Sequence, residues 1–122
     1  MFQLITPSST DMINDVNIDT DKIRNGAWFK IKNSSFLIAH QSKPQYEFSL
    51  RELFSRRSSV DDPTMCELIS QHLLLNWKNV KKPDGSDLAY SKSVAHKALL
   101  ANTELKDFVS RCSKDLTNFM KD

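Results

Sequence analysis

The sequence is poor in the residues that most often build catalytic loops and covalent cross-links. Among its 122 residues are two glycines, two cysteines and three histidines. Two glycines leave no Gly-rich loop of the kind that cradles a phosphate. Cys66 and Cys112 lie far apart and lack CxxC or His-pair spacing. Free, buried thiols in a reducing compartment therefore explain them better than a disulfide or a zinc site.

Long hydrophobic runs are also absent. Runs such as Phe36 to Ala39 reach only four or five residues, whereas a membrane-spanning helix needs about 20. No basic and then apolar leader opens the chain. The length fits one domain with a single core, and the 39% hydrophobic and 26% charged residues are typical of a soluble protein. These features predict a cytosolic protein with no membrane partner.

The net charge of +2 is unevenly distributed along the chain. Residues 1–25 carry four aspartates against Lys22 and Arg24, a balance of −2, which leaves +4 for the remainder. That excess is small for a dedicated nucleic-acid-binding protein. Two basic clusters stand out, and both are typical of solvated helix ends. They consist of Arg56 and Arg57, and of Lys78, Lys81 and Lys82.

No set of side chains has the spacing of a catalytic or metal site. The histidines, His40, His72 and His96, are not paired at i,i+4 and have no carboxylate at ligand spacing. The run from Asp84 to Asp87 contains a Gly, but it lacks the ligand positions of an EF-hand loop and fits a plain Asp-Gly turn. We therefore expect a non-enzymatic protein without a metal or cofactor.

The hydrophobic periodicity predicts an α+β fold, mainly α-helical, in which an N-terminal two-stranded β-hairpin packs on about four helices. Two alternatives stay open for residues 1–21, a mobile N-terminal arm or a segment extended along the domain; residues 22–122 form the single domain. Alternation predicts strands over residues 27–32 and 36–40, joined by the loop 33–35. Helical spacing predicts helices from Gln45 to about Arg56, from Pro63 to about Asn79, from Ser91 to about Leu100, and from about Glu104 to Met120. The expected N-caps of the last three helices are Asp62, Ser91 and Thr103.

Several short motifs follow one another in an order that resembles the tail assembly chaperones of tailed phages. They are Ile23 to Phe29, Phe36 to Ala39, Lys43-Pro44-Gln45-Tyr46, Leu75-Asn76-Trp77-Lys78-Asn79-Val80, Asp84-Gly85-Ser86, Tyr90-Ser91 with Ala95 and Leu99, and Asn102 to Val109 followed by Asn118-Phe119. The resemblance covers roughly residues 22–120. Lys43 departs from the family's usual Asn, and residues 1–21 match no part of the pattern.

The resemblance implies a non-enzymatic function in the host cytoplasm. Proteins of that family bind the aggregation-prone tape-measure protein, keep it soluble and deliver it to the polymerising major tail protein. They are absent from the mature virion. Self-association of the chain is also expected.

Client binding of this kind needs exposed apolar surface. The candidates are the apolar residues of the predicted last helix and the Trp at the edge of the hairpin: Trp28, Phe108, Leu116, Phe119 and Met120. The alternative is that these residues only close the core. A second function also stays open, a small helical adaptor or regulator that binds nucleic acid through its basic helix ends.

Overall fold

The computed structural model describes residues 17–57 and 59–121. The predicted fold class is confirmed, because the chain forms a mainly α-helical α+β domain around a small antiparallel sheet. In chain order the elements are α1 (Thr20–Asn25), β1 (Ala27–Ile31), β2 (Ser34–Ile38), α2 (Pro44–Arg56), α3 (Asp62–Leu68), a π-helical segment (Ile69–Leu73), β3 (Leu74–Lys78), α4 (Lys92–Ala101), α5 (Thr103–Lys114) and a 3₁₀ turn (Leu116–Phe119). None of these helices is long and apolar enough to span a membrane.

The predicted hairpin is present, and a third strand extends it. β1 and β2 pair antiparallel with Phe29 opposite Phe36, and β2 pairs antiparallel with β3 so that Phe36 lies opposite Trp77. The strand order is β1-β2-β3. Because side chains alternate along a strand, these three rings share the face that packs against the helices. The β1–β2 turn is tighter than predicted, since Ile31 pairs directly with Ser34.

The prediction of one long helix from Pro63 to Asn79 is wrong. Helix α3 ends at Leu68, a π-helical segment follows, and Leu74–Lys78 is a strand. The short apolar run around Leu74 fits either state by periodicity, and pairing with β2 decides the outcome. Asn76 also favours the strand, since its side-chain oxygen accepts a hydrogen bond from the backbone N–H of Trp77.

The helix starts follow the capping rules that the sequence suggested, with shifts of one residue. Ser91 caps α4 as predicted by accepting a hydrogen bond from the N–H of Val94. Asp61, rather than Asp62, caps α3 through the N–H of Thr64. Asn102, in place of Thr103, caps α5. Helix α2 begins at Pro44, close to the predicted start.

The last helix is shorter than predicted: α5 ends at Lys114, whereas the sequence pattern extended it to Met120. The Asp115 carboxylate accepts hydrogen bonds from the N–H and the hydroxyl of Thr117, and this local pairing competes with a continued helix. The following 3₁₀ turn directs Phe119 into the core, where its ring contacts those of Phe29 and His40. Phe119 is completely buried.

The predicted N-terminal arm lies partly within the described residues. Its end, residues 17–21, is bonded to the C-terminal segment: the N–H of Asp19 donates to the carbonyl of Phe119, and the N–H of Lys121 donates to the carbonyl of Asn17. Asp19 also caps α1, a short helix that the sequence pattern did not predict. Residues 1–16 of the predicted arm lie outside the described residues.

A glycine joins α1 to β1 in a conformation that few other residues adopt. Gly26 has φ +92° and ψ 161°, a backbone region that is essentially restricted to glycine. A Cβ atom at this position would lie 2.8 Å from Cγ of Leu37. The close approach of α1 and β2 therefore requires a residue without a side chain.

We expect Gly26→Ala to lower the free energy of unfolding by about 2–4 kcal/mol, because backbone strain and overpacking add. Gly85→Ala is the matched control, since Gly85 also has a positive φ, +90°, but a Cβ atom there would have no other atom within 4 Å. The control should cost only the backbone contribution, about 1–2 kcal/mol. Urea denaturation measures both, and equal losses would contradict the contact with Leu37.

Candidate functional site

Four aromatic rings form a connected cluster between the sheet and the last two helices. Phe36 of β2 contacts Trp77 of β3 at 6.3 Å and Phe108 of α5 at 6.1 Å between ring centroids, both edge to face. Trp77 in turn contacts Tyr90 at 5.2 Å. Such edge-to-face pairs add to the free energy of burial. Phe36 and Trp77 are buried, whereas Phe108 and Tyr90 are half-buried.

One side of this cluster opens into a groove of about 590 Å³, which we call the apolar groove. One wall comes from the end of the β1–β2 hairpin and from the segment after β3; the other comes from the end of α4 and the start of α5. Its apolar lining residues are Ile31, Phe36, Trp77, Val80, Pro83, Ala98, Ala101, Leu105 and Phe108. A depression of this size and composition can hold two or three large apolar side chains of a partner.

Two hydrogen bonds hold the segment after β3 in place beside the groove. The indole N–H of Trp77 donates to the carbonyl of Leu88 at 2.7 Å, and the hydroxyl of Tyr90 donates to the carbonyl of Leu74 at 2.7 Å. Each large ring thus satisfies its polar atom while its apolar body packs in the core. The Asp-Gly turn predicted from the sequence is confirmed at Gly85, whose N–H donates to the carbonyl of Lys82. This stretch is architectural and forms one wall of the groove.

Charged side chains at the groove differ between its two walls. Lys32 and Lys81 lie on the strand side, and Glu104 lies on the helix side. Lys81 forms an ion pair with Asp87, whereas Lys32 forms none among the described residues. The strand wall therefore carries one cation without an ion pair in the described part of the chain, Lys32, and the helix wall carries one carboxylate, Glu104.

The structure does not bring the five predicted partner-binding residues together in one surface. Phe108 lines the apolar groove, but Trp28 is 44% exposed on the opposite face of the sheet, where the Lys78 ammonium lies 4.3 Å from its ring centroid. Leu116 is 36% exposed in the 3₁₀ turn. Met120 is half-buried and pairs with Ile18. Phe119 is fully buried, which favours the alternative that this residue closes the core.

Sequence reasoning missed most of the groove because its walls come from four separate parts of the chain. Ile31, Val80 and Leu105 each belong to an apolar pattern, but only the folded chain places them side by side. It also missed two exposed aromatics on α2. Phe48 is 61% exposed, and Phe54 is 51% exposed.

The thiols and His72 occupy environments that suppress their charged forms. Burial raises the pKa of Cys66 and of Cys112, so both are protonated and weakly nucleophilic at neutral pH. Burial, and then the ammonium groups of Lys43 and Lys92, lower the pKa of His72. Among the described residues, no group of three or more His, Cys, Asp or Glu side chains could hold a metal ion.

His40 is a buried titratable side chain that packs beside Phe119. Its Nδ1 atom accepts a hydrogen bond from the N–H of Ser42 at 3.0 Å, and its ring contacts Phe119 at 5.1 Å. Burial lowers the pKa of His40. A backbone contact with Lys114 and the carboxylates of Glu47 and Asp115 oppose this shift without cancelling it.

The lowered pKa of His40 predicts a fold that loses stability in mild acid. The unfolded chain takes up a proton on this histidine near its ordinary pKa of 6.5, before the folded chain does. The contribution of neutral His40 to the free energy of unfolding is therefore complete above that pH, and it is lost as the pH falls towards the lower pKa of the folded state. We expect urea-unfolding free energies to decrease from pH 7 to pH 5. His40→Asn and His72→Asn should each remove part of that slope, because burial lowers the pKa of both histidines, and the double variant should flatten it further.

Three of the five cations in the two basic clusters named from the sequence have partners in the fold. Arg56 pairs with Glu52 at 3.6 Å, Lys81 pairs with Asp87, and Lys78 lies over the ring of Trp28. These contacts partly neutralise or occupy those three cations.

Comparison with known proteins finds a family for most of the chain. A family model described as YdaY prophage protein matches residues 29–122, which contain most of the sheet, both walls of the apolar groove and the C-terminal turn. No curated protein and no solved structure matches the chain.

Proposed function

The chain belongs to the YdaY prophage protein family and is of phage origin, and from this premise we propose that it is a non-enzymatic tail assembly chaperone. In this proposal it binds the tape-measure protein in the host cytoplasm, keeps it soluble and aids polymerisation of the major tail protein. It requires no cofactor. The finished virion does not contain it.

The observation that carries the proposal is the apolar groove. Its walls leave Phe108, Val80 and Leu105, all large apolar residues, only partly buried. An apolar groove beside a sheet and two helices fits the way in which proteins bind an amphipathic helix of a partner, with apolar side chains inserted at helical spacing. We infer the client, the tape-measure protein, from the order of the sequence motifs, which resembles that of the tail assembly chaperones of tailed phages.

Co-expression with the tape-measure protein from the same phage genome tests the proposal. The expected result is that the tape-measure protein remains in the soluble fraction and co-purifies with the chain, and that it becomes insoluble when expressed alone. A tape-measure protein that is equally insoluble with and without the chain would overturn the proposal. Light scattering on the purified chain measures the proposed self-association separately.

A further inference from the structure

The outer edge of β1 carries backbone groups that no other described part of the chain pairs. In a hairpin with a two-residue loop, the residues that flank the loop exchange both backbone hydrogen bonds, and bonded pairs then alternate along the strands. Ile31 and Ser34 flank this loop, so Ile31 and Phe29 direct their N–H and C=O groups towards β2. Trp28 and Lys30 therefore direct theirs outward. Within residues 17–57 and 59–121, these outward groups have no hydrogen-bond partner.

The opposite edge strand, β3, has side chains bonded to its backbone. The N–H of Trp77 donates to Oδ1 of Asn76 at 2.8 Å, and the hydroxyl of Tyr90 donates to the carbonyl of Leu74 at 2.7 Å. A row of unpaired groups, such as that of β1, is a template for a further strand. Of the two edges, β1 is therefore the one suited to adding a strand.

Pairing β1 with β1 of a second copy satisfies this edge in one antiparallel register. A twofold axis at Phe29 places Trp28 opposite Lys30 of the second copy, and every group that these two residues direct outward then finds a partner. An axis at Lys30 would place the two ammonium groups directly opposite each other, which is unfavourable. An axis at Trp28 would pair Lys30 with Gly26, whose N–H is already bonded to the carbonyl of Lys22.

The side chains agree with the register at Phe29. Residues that lie opposite each other on paired strands have their side chains on the same face of the sheet. Trp28 is 44% exposed, and Lys78 approaches its ring from β3, on the inner side of the sheet. The outer side of the ring is left for Lys30 of the second copy, which would cover apolar area and add a cation–π contact. Lysines on edge strands oppose pairing when they meet, but this register places each beside an indole ring.

We propose that β1 pairs with β1 of a second copy across a twofold axis at Phe29, which joins the two three-stranded sheets into one continuous antiparallel sheet. Because the paired strands run in opposite directions, the two hairpin turns lie at opposite ends of the pair, and the dimer carries one apolar groove at each end. The pairing gives a structural form to the self-association named above. It does not depend on the identity of the client.

Hydrogen exchange of individual amides in the full-length chain, read by NMR beside light scattering, tests this pairing. At millimolar concentration we expect twice the mass of a single chain and slow exchange of the Trp28 and Lys30 amides. On dilution these two amides should exchange about tenfold faster or more as the dimer fraction falls. The amides of Phe29 and Ile31 bond to β2 and should stay protected in the monomer, so they serve as the internal control.

Three results of that experiment overturn the proposal. A chain that is monomeric at millimolar concentration has no such pairing. Fast exchange of Trp28 and Lys30 in a dimer means that the copies meet at another surface. Slow exchange of these two amides in a monomer means that the same chain covers the edge.

Substitutions test the register itself. Trp28→Lys places ammonium groups opposite Lys30 of the second copy, so dimerisation should weaken about tenfold or more. Adding Lys30→Glu to this variant should recover most of the loss, because each lysine then lies opposite a carboxylate. Leu100→Lys removes a 46% exposed apolar side chain from α4 and is the matched control, which should dimerise as the wild type does. Circular dichroism checks that all variants are folded.

A dimer that Trp28→Lys leaves unchanged, or a double variant as weak as Trp28→Lys alone, would contradict this register. Protection of the Trp28 and Lys30 amides that appears only after the tape-measure protein is added would also overturn the proposal, because the edge would then bind the client. The other measurements use the chain alone. A failure of the dimer and a failure of the chaperone function therefore give different results.

Discussion

Replacing Phe119 with alanine is expected to lower the free energy of unfolding by about 3–5 kcal/mol, because it empties a fully buried ring position. The ring contacts Phe29 of β1 and His40 after β2. It thereby holds the 3₁₀ turn against the sheet. For a domain whose total stability is about 5–15 kcal/mol, this loss is a large share. Urea denaturation with an unchanged m-value measures it.

Leu116→Ala is the matched control for this prediction. Leu116 lies in the same 3₁₀ turn, but 36% of it is exposed, so its truncation should cost well under half as much. If both substitutions cost the same, the turn does not anchor the core through Phe119. If Phe119→Ala leaves stability unchanged and abolishes client binding, the residue is a partner contact after all, as the sequence pattern had suggested.

Placing a carboxylate in the apolar groove should weaken the proposed client binding. Ala101 is the exposed last residue of α4 and lines the groove, so Ala101→Glu introduces a charge without disturbing the core. A bound apolar segment between the walls would bury that charge on the helix wall, across the groove from Lys32 and Lys81, at a cost of about 1–3 kcal/mol or more. Binding should therefore weaken about tenfold or more. Quantification of soluble tape-measure protein in the co-expression experiment gives the result.

Ala89→Glu provides the same change in charge away from the groove. Ala89 is exposed and does not line the groove, so this variant should keep the tape-measure protein soluble as the wild type does. Thermal unfolding of both variants confirms that they are equally folded. Full solubilising activity of Ala101→Glu would place client binding elsewhere, with exposed Phe48 and Phe54 of α2 as the next surface to substitute.

Local signals in the sequence predicted the elements that depend on neighbouring residues. The β1–β2 hairpin follows from alternation and a tight turn, and α4 follows from the Ser91 cap. Strand β3 could not be predicted in this way, because the short apolar run around Leu74 fits the pattern of a buried helix as well as that of a buried strand. Its conformation is decided by β2, whose Phe36 is some 40 positions away in the chain.

In the candidate site too, features set by neighbouring residues could be predicted, and features set by distant parts of the chain could not. Phe108 was correctly identified as a residue on the apolar stripe of α5, and it does line the groove. The groove itself requires the approach of the β1–β2 turn to the α4–α5 junction, which no spacing in the sequence encodes. Phe119 keeps helical spacing with Phe108, but the helix ends between them at Asp115, and the 3₁₀ turn that follows directs Phe119 into the core.

The hydrogen bond between Lys121 and Asn17 places the two ends of the described chain side by side. Circular permutation is therefore geometrically simple for this domain. New termini at the exposed turn around Gly85, between β3 and α4, would interrupt none of the helices and strands in the described part of the chain.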